Sequence, residues 1–325
     1  MKRRHLLLGS AAAIAPSFAA RADTAWPAKP IRFIVPFAAG GGGGTDTVSR
    51  LICDRLGHTF DQSFVIDNKG GAGGNIGTAE LARSAPDGYT IGLISVSSHT
   101  LNPMLYRKLS YDPDKDLVAI SRVALLANFL GVTRSLPVSD MAELIALCKK
   151  EPGKYAFASS GPGTSLHLSG ELFKTMAGID IQHVPYKGAG VAYGDLIAGT
   201  VHMMFANMPS MLPQVRDGKL KGLAVTSAER SKAAPDVPTI AETLPGYIAT
   251  SWYGIAAPAG TPEPILAKLE AALAAALATP EVQKRWQDDL GLDMPPAGRA
   301  GFAEFLAADR AHWAPAVKAS GVRLD

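Results

Sequence analysis

The chain has 325 residues, 32 Lys and Arg against 29 Asp and Glu, a formal net charge of +3, and two cysteines. That length can bury a large core and is enough for two domains. The near balance of charge, with no clustered basic face, excludes nucleic acid as a partner, and no run after the first twenty residues is apolar enough to span a membrane.

The chain opens like an exported protein. Lys2, Arg3 and Arg4 form a positive start, 6–20 is apolar apart from Gly9, Ser10, Pro16 and Ser17, and Ala20-Arg21-Ala22 is a small-residue cleavage signal. The stretch is too short and alanine-rich for a membrane anchor. The spacing predicts a signal peptide over 1–22 and a mature start at Asp23 in the periplasm. The Arg3-Arg4 pair leaves Sec and twin-arginine export both open. Loss of Lys2, Arg3, Arg4 and Arg21 takes the net charge from +3 to −1, so the basic balance belongs to the leader.

Strand and helix signals then alternate. A short apolar run at 31–36 ends in Pro36-Phe37, glycines follow, and a helical stripe of Val48, Leu51, Ile52 and Leu56 comes next. A strand is expected at 64–66, a helix around 78–82, a turn at Pro86-Asp87-Gly88 and a strand at 90–95. The pattern restarts with a strand at 129–132. Asp140 and Glu143 stand at capping-box spacing before a helix whose stripe is Met141, Leu144, Ile145 and Cys148. Strands are expected at 155–158, 181–185, 201–205 and 222–226, with helices from Leu168 to Gly178 and near 193–198. The stretch 229–246 reads as loop, 251–256 as strand, 262–278 as helix, and more helix follows to about Lys318.

Such repetition predicts an α/β fold of two doubly wound lobes. Lobe 1 is 23–125 with 249–325, and lobe 2 is 126–248, so the chain crosses twice, near 124–128 and 247–251. Val35-Pro36-Phe37 before Gly40 is echoed by Val184-Pro185-Tyr186 before Gly188. Cys53 and Cys148 sit on helix stripes of different units and read as separate buried thiols.

Two strand-to-helix turns carry the chemistry. Gly40 to Gly44, then Thr45 and Asp46, lets backbone N–H groups approach a ligand and adds the partial positive charge of a helix start. Thr45 or Asp46 as an ordinary N-cap is the plainer alternative. Ser159, Ser160, Gly161, Gly163, Thr164 and Ser165 repeat that logic in the other lobe, with Thr164 as a possible simple cap. Neither turn contains Lys or Arg, so an anion there is held by N–H groups, helix starts and hydroxyls. No phosphate loop, dinucleotide fingerprint, metal motif or nucleophile elbow is present, so no catalytic residue, metal or cofactor is assigned. His99 beside Ser98 and His167 near Ser165 lack a supporting motif. Lys187 is expected at the surface or rim.

Ordered fragments along the mature chain resemble the Bug, or TctC-like, family of periplasmic binding proteins of tripartite tricarboxylate transporters. They are Pro36-Phe37 with Gly42-Gly43-Gly44-Thr45-Asp46, Gly71-Ala72-Gly73-Gly74-Asn75-Ile76-Gly77, and Ala85-Pro86-Asp87-Gly88-Tyr89-Thr90. Ala158-Ser159-Ser160-Gly161, His183-Val184-Pro185-Tyr186-Lys187-Gly188, Leu223-Ala224-Val225-Thr226 and Ala257-Pro258-Ala259-Gly260-Thr261-Pro262 continue the match. The resemblance implies a Venus-flytrap fold, a monomer with no cofactor, and a di- or tricarboxylate, amino acid or aromatic acid in the interlobe cleft, delivered to membrane permease subunits. A periplasmic sensor that presents the same kind of ligand to a receptor is the alternative. Carried over by position, the ligand loops hold Phe37, Ala38, Ala39, Gly40, Gly44 and Thr45, and Ser159 to Ser165, with Ser97 and Ser98 at a neighbouring strand end. Asn207 matches a family asparagine often preceded by aspartate, where this chain has Ala206, and the glycine run is about two residues longer than the family pattern.

Overall fold

The computed structural model describes residues 26–39, 44–293 and 298–325; the expected leader and 40–43, with the Gly40 assignment, lie outside the described residues. β1 (Ile31–Val35) is an apolar run buried at Ile31, Phe33, Ile34 and Val35, the signature of a strand covered on both faces. Pro36, lacking an N–H, closes it. α1 (Gly44–Phe60) lays Val48, Ile52 and Leu56 on that strand's face. β2 (Phe64–Asn68) and, after α2 (Asn75–Ala82), β3 (Thr90–Ser95) flank β1 in parallel. A wide helical turn at 96–101 leads into the short α3 (Asn102–Leu105).

β4 (Leu117–Thr133) carries the chain from one half of the molecule to the other. The second half then follows: α4 (Met141–Lys150), β5 (Ala156–Ser159), α5 (Ser165–Ala177), β6 (Gln182–Pro185), α6 (Ala189–Ala198), β7 (Met203–Asn207), α7 (Met208–Arg216) and β8 (Leu220–Val225). β9 (Thr250–Pro258) returns, and α8 (Glu263–Ala278), α9 (Pro280–Lys284), β10 (Leu292–Asp293) and α10 (Arg299–Ser320) complete the chain.

The strand order β2-β1-β3-β9-β4-β7-β5-β6 joins two mixed units, with β2-β1-β3 and β7-β5-β6 parallel and every pairing of β4 and β9 antiparallel, so the mixed α/β, two-lobed architecture expected from the sequence is the one observed. Positions 117–127 of β4 lie antiparallel to β9, and 128–133 lie antiparallel to β7 and β8. Bulges at 119/121, 122/124 and 130/131 bend the strand as it passes between the halves. Its length exceeds the expected 129–132 because its first half, where Val118, Ala119, Arg122 and Leu125 are only half-buried, follows neither strict alternation nor a continuous buried run.

α7 has no counterpart in the sequence reading, which assigns no element between the strands at 201–205 and 222–226. Pro209 sits in the first turn, where an N–H has no helical acceptor, and Pro213 interrupts only one bond of a nine-residue helix. The capping residue of α4 is Asp140, whose carboxylate accepts the Glu143 N–H at 2.8 Å. Glu143 reaches one residue further back than a capping box requires, accepting from the N–H and hydroxyl of Ser139 at 2.7 Å each.

Cys53 and Cys148 are buried free thiols in separate core clusters. α10 packs on β4 and on α5, so it touches both halves. Its Phe302 meets Trp252 of β9 edge-on with centroids 5.4 Å apart, and its Asp309 accepts from Trp252 Nε1 at 2.8 Å and Thr100 Oγ1 at 2.6 Å.

Candidate ligand-binding site

Strand ends from both halves open onto one hollow. The first half contributes Phe37 and Ala38 after β1, Thr45 in the first turn of α1, and Ser95 and Ser97 at the end of β3. β9 adds Ser251 and Tyr253, which share a face because side chains alternate along a strand. The second half contributes Ser160, Thr164, Ser165 and Leu166 around the start of α5, Gly188 and Ala189 at the start of α6, and Asn207 before α7.

Four helices therefore present their first turns to the hollow: α1, α5, α6 and α7. The first N–H groups of a helix have no helical acceptor, and each helix start carries a partial positive charge. Among the described residues lining the hollow there is no Lys, Arg, His, Asp or Glu. The positive potential comes from backbone dipoles, and the side chains add hydroxyls. Such a hollow solvates an anion without a counter-charge.

Half of the sixteen sequence-predicted positions converge here: Phe37, Ala38, Thr45, Ser97, Ser160, Thr164, Ser165 and Asn207 line the hollow. Ala39, Gly44, Asp46, Ser98, Ser159, Gly161 and Gly163 do not. Gly44 packs against Pro209 and Tyr253, and a Cβ there would lie 3.0 Å from Pro209 Cγ. Asp46 pairs with Arg50 at 2.9 Å and accepts from Asn68 Nδ2 at 3.1 Å. Ser98 turns back to accept the Ser95 N–H at 3.2 Å. Ser95, Leu166, Gly188, Ala189, Ser251 and Tyr253 are wall residues not singled out in the sequence. Gly188 had one signal, the echo of the β1 end; the β9 pair lies in a wholly buried apolar run that gives none. Lys187, beside Gly188, is exposed.

Both roles weighed for Thr164 coincide. Its Oγ1 caps α5 by accepting the His167 N–H at 3.4 Å and donates to the Gly161 carbonyl at 2.7 Å, while the residue lines the hollow. Gly163 holds the turn at φ +78°, and a Cβ would come within 2.6 Å of Asn102 Oδ1. Two hydrogen bonds close the halves over the hollow: Ser165 N–H to Ser97 Oγ at 3.2 Å, and Tyr253 hydroxyl to Asn207 Oδ1 at 2.9 Å.

Behind the α5 turn, His167 and His183 stack with centroids 3.9 Å apart, and Phe157 lies 4.9 Å from His183. Burial pushes His183 down to about 4, and burial together with the neighbouring His183 pushes His167 down to about 3, so both are neutral. Ser159 Oγ lies 2.7 Å from His183 Nε2, the spacing of a nucleophile and base. The serine is fully buried and its oxygen already accepts the Gly161 N–H at 3.1 Å, so the pair braces the turn and no substrate reaches it.

A family model described as the tripartite tricarboxylate transporter family receptor matches residues 48–322. Among solved structures, R. palustris Rpa4515 with adipate has a TM-score of 0.89 at 37% identity, over 92% of this chain and 99% of that one. The periplasmic binding protein BugD has 0.87 at 34%, over 92% and 99%. MatC from Rhodopseudomonas palustris with bound malate has 0.84 at 33%, over 90% and 100%.

Proposed function

The chain belongs to the tripartite tricarboxylate transporter receptor family, and from that premise we propose that it captures a small carboxylate in the interlobe hollow and delivers it to the membrane permease of such a transporter. The observation that carries this reading is the meeting of four helix starts on a hollow whose described walls carry no Lys, Arg, His, Asp or Glu. A carboxylate placed there accepts hydrogen bonds from N–H groups, including those of the α5 start that Thr164 caps, and from the hydroxyls of Thr45, Ser97 and Ser165. Each bond to the charged group contributes roughly 1.5–3 kcal/mol. The adipate and malate bound by two relatives belong to the same ligand class.

The protein acts by binding and not by catalysis, as a monomer exported to the periplasm after loss of 1–22. Its lobes are 23–125 with 249–325, and 126–248, hinged where β4 and β9 cross. Thermal shift against a carboxylate panel tests this. A ligand at 100 times its Kd raises stability by about 2.7 kcal/mol, and no shift with any member of the panel sinks the proposal.

A further inference from the structure

Ser95 is the odd member of the hollow. The residue is 2% exposed and lines the space, and its hydroxyl oxygen faces the Ser98 N–H in a capping box at the start of the 96–101 turn, yet nothing in the protein accepts its proton. Leaving a buried hydroxyl unmatched costs roughly 1–3 kcal/mol, so the orphan calls for a partner from within the hollow. Ser95 stands directly opposite Tyr253 in the antiparallel β3–β9 pair, and opposed side chains of such a pair are neighbours on one face.

What Tyr253 can offer is fixed some distance away. The Ala249 carbonyl can only accept, so the Asn128 amide turns its Nδ2 toward it at 3.5 Å and toward Ser169 Oγ at 2.9 Å. That leaves Asn128 Oδ1 for Asn207 Nδ2 at 2.7 Å, and Asn207 Oδ1 for the Tyr253 hydroxyl at 2.9 Å. Reversing either amide would set like groups face to face. The single proton of Tyr253 is thereby committed to Asn207, and only lone pairs remain on its oxygen.

We propose that Ser95 and Tyr253 form a subsite for a neutral hydroxyl group on the carboxylate ligand, so that the protein prefers a hydroxy acid to the same acid without the hydroxyl. This rests on the carboxylate reading above. A ligand hydroxyl donates to the Tyr253 oxygen and accepts from Ser95, satisfying both. A carboxylate at this wall would face the Tyr253 lone pairs with one donor to hold it. An ammonium would be buried with no anion to offset it.

Calorimetry with three matched pairs tests the subsite: butanoate and 3-hydroxybutanoate, succinate and malate, glutarate and 2-hydroxyglutarate. In the wild type the hydroxylated member of at least one pair binds about five- to tenfold tighter, the effect of a neutral hydrogen bond. Ser95→Ala and Tyr253→Phe each bring that ratio to about one. Ser95→Cys, close in size and weak in hydrogen bonding, replaces the alanine variant should that fail to fold. A wild-type ratio near one in every pair that binds, or a ratio that survives either substitution, overturns the subsite and leaves the carboxylate reading standing. If no member of any pair binds, both fall together.

Discussion

The hydroxyl of Tyr253, on β9, donates to Oδ1 of Asn207, at the end of β7, so one hydrogen bond ties the two halves together at the hollow. Both residues are buried, and Asn207 is bonded in turn to Asn128, the first β4 residue that pairs with the second half. The tie across the hollow and the β4 crossing thus share one bonded chain.

Tyr253→Phe removes that tie and leaves the Asn207 oxygen short of a partner, at a cost of about 1–2 kcal/mol to the closed form. The expected result is about tenfold weaker carboxylate binding and, without ligand, a larger radius of gyration by solution scattering than the wild type shows. An unchanged radius and affinity would mean that closure does not depend on the bond.

At the α5 turn, the two roles of Thr164 can be separated. Thr164→Ser keeps a hydroxyl and should bind like the wild type. Thr164→Ala loses the cap, at about 1 kcal/mol of stability, and also weakens calorimetric affinity about tenfold. Gly163→Val is expected to be worse than either, since its backbone sits at φ +78° and Asn102 occupies the Cβ position. An alanine variant that melts lower but binds normally would reduce Thr164 to a cap.

Gly170 tests the packing beneath the turn. A Cβ there would lie 2.1 Å from Phe157 Cε2, and the ring is held by His183 on one side and Phe205 on another. Gly170→Ala gains up to about 1 kcal/mol of helix propensity but overpacks the core by about 1–3 kcal/mol. A net loss is expected in denaturant melts. Equal or greater stability would show that the ring can move aside.

Acid should unfold the protein through its buried histidines. His99 is pushed down to about 4 by burial, as His183 is, and His167 to about 3. A base with a depressed pKa binds fewer protons folded than unfolded. Stability is therefore full above about pH 6.5 and falls as pH drops toward 4 and then 3. For His99 the loss is about 3 kcal/mol once both states are protonated. Stability measured from pH 7 to 3.5 should fall, and His99→Gln should flatten the slope. A slope unchanged by that substitution would place the acid sensitivity elsewhere.

The ligand loops were legible because glycine, serine and threonine clusters between a strand and a helix have few other uses. Thr45, Thr164 and Ser165 were found that way, and Phe37 through the family resemblance. Ser251 and Tyr253 were not, because β9 is buried along both faces and its pattern does not say which face meets a hollow. The crossing in β4 could be placed near Asn128 but its length could not, because its bulged first half keeps no regular alternation. α7 was hidden by prolines whose missing N–H groups its short length tolerates.

The absence of lysine and arginine from the described walls of the hollow bears on how a ligand arrives. Helix-start dipoles act over about one turn and reach little beyond the entrance. Any long-range field that steers anions in comes from charges outside these walls, such as the exposed Lys187 beside Gly188. Added salt has few exposed charges at the site to screen, and binding should hold nearly constant from dilute buffer to brine.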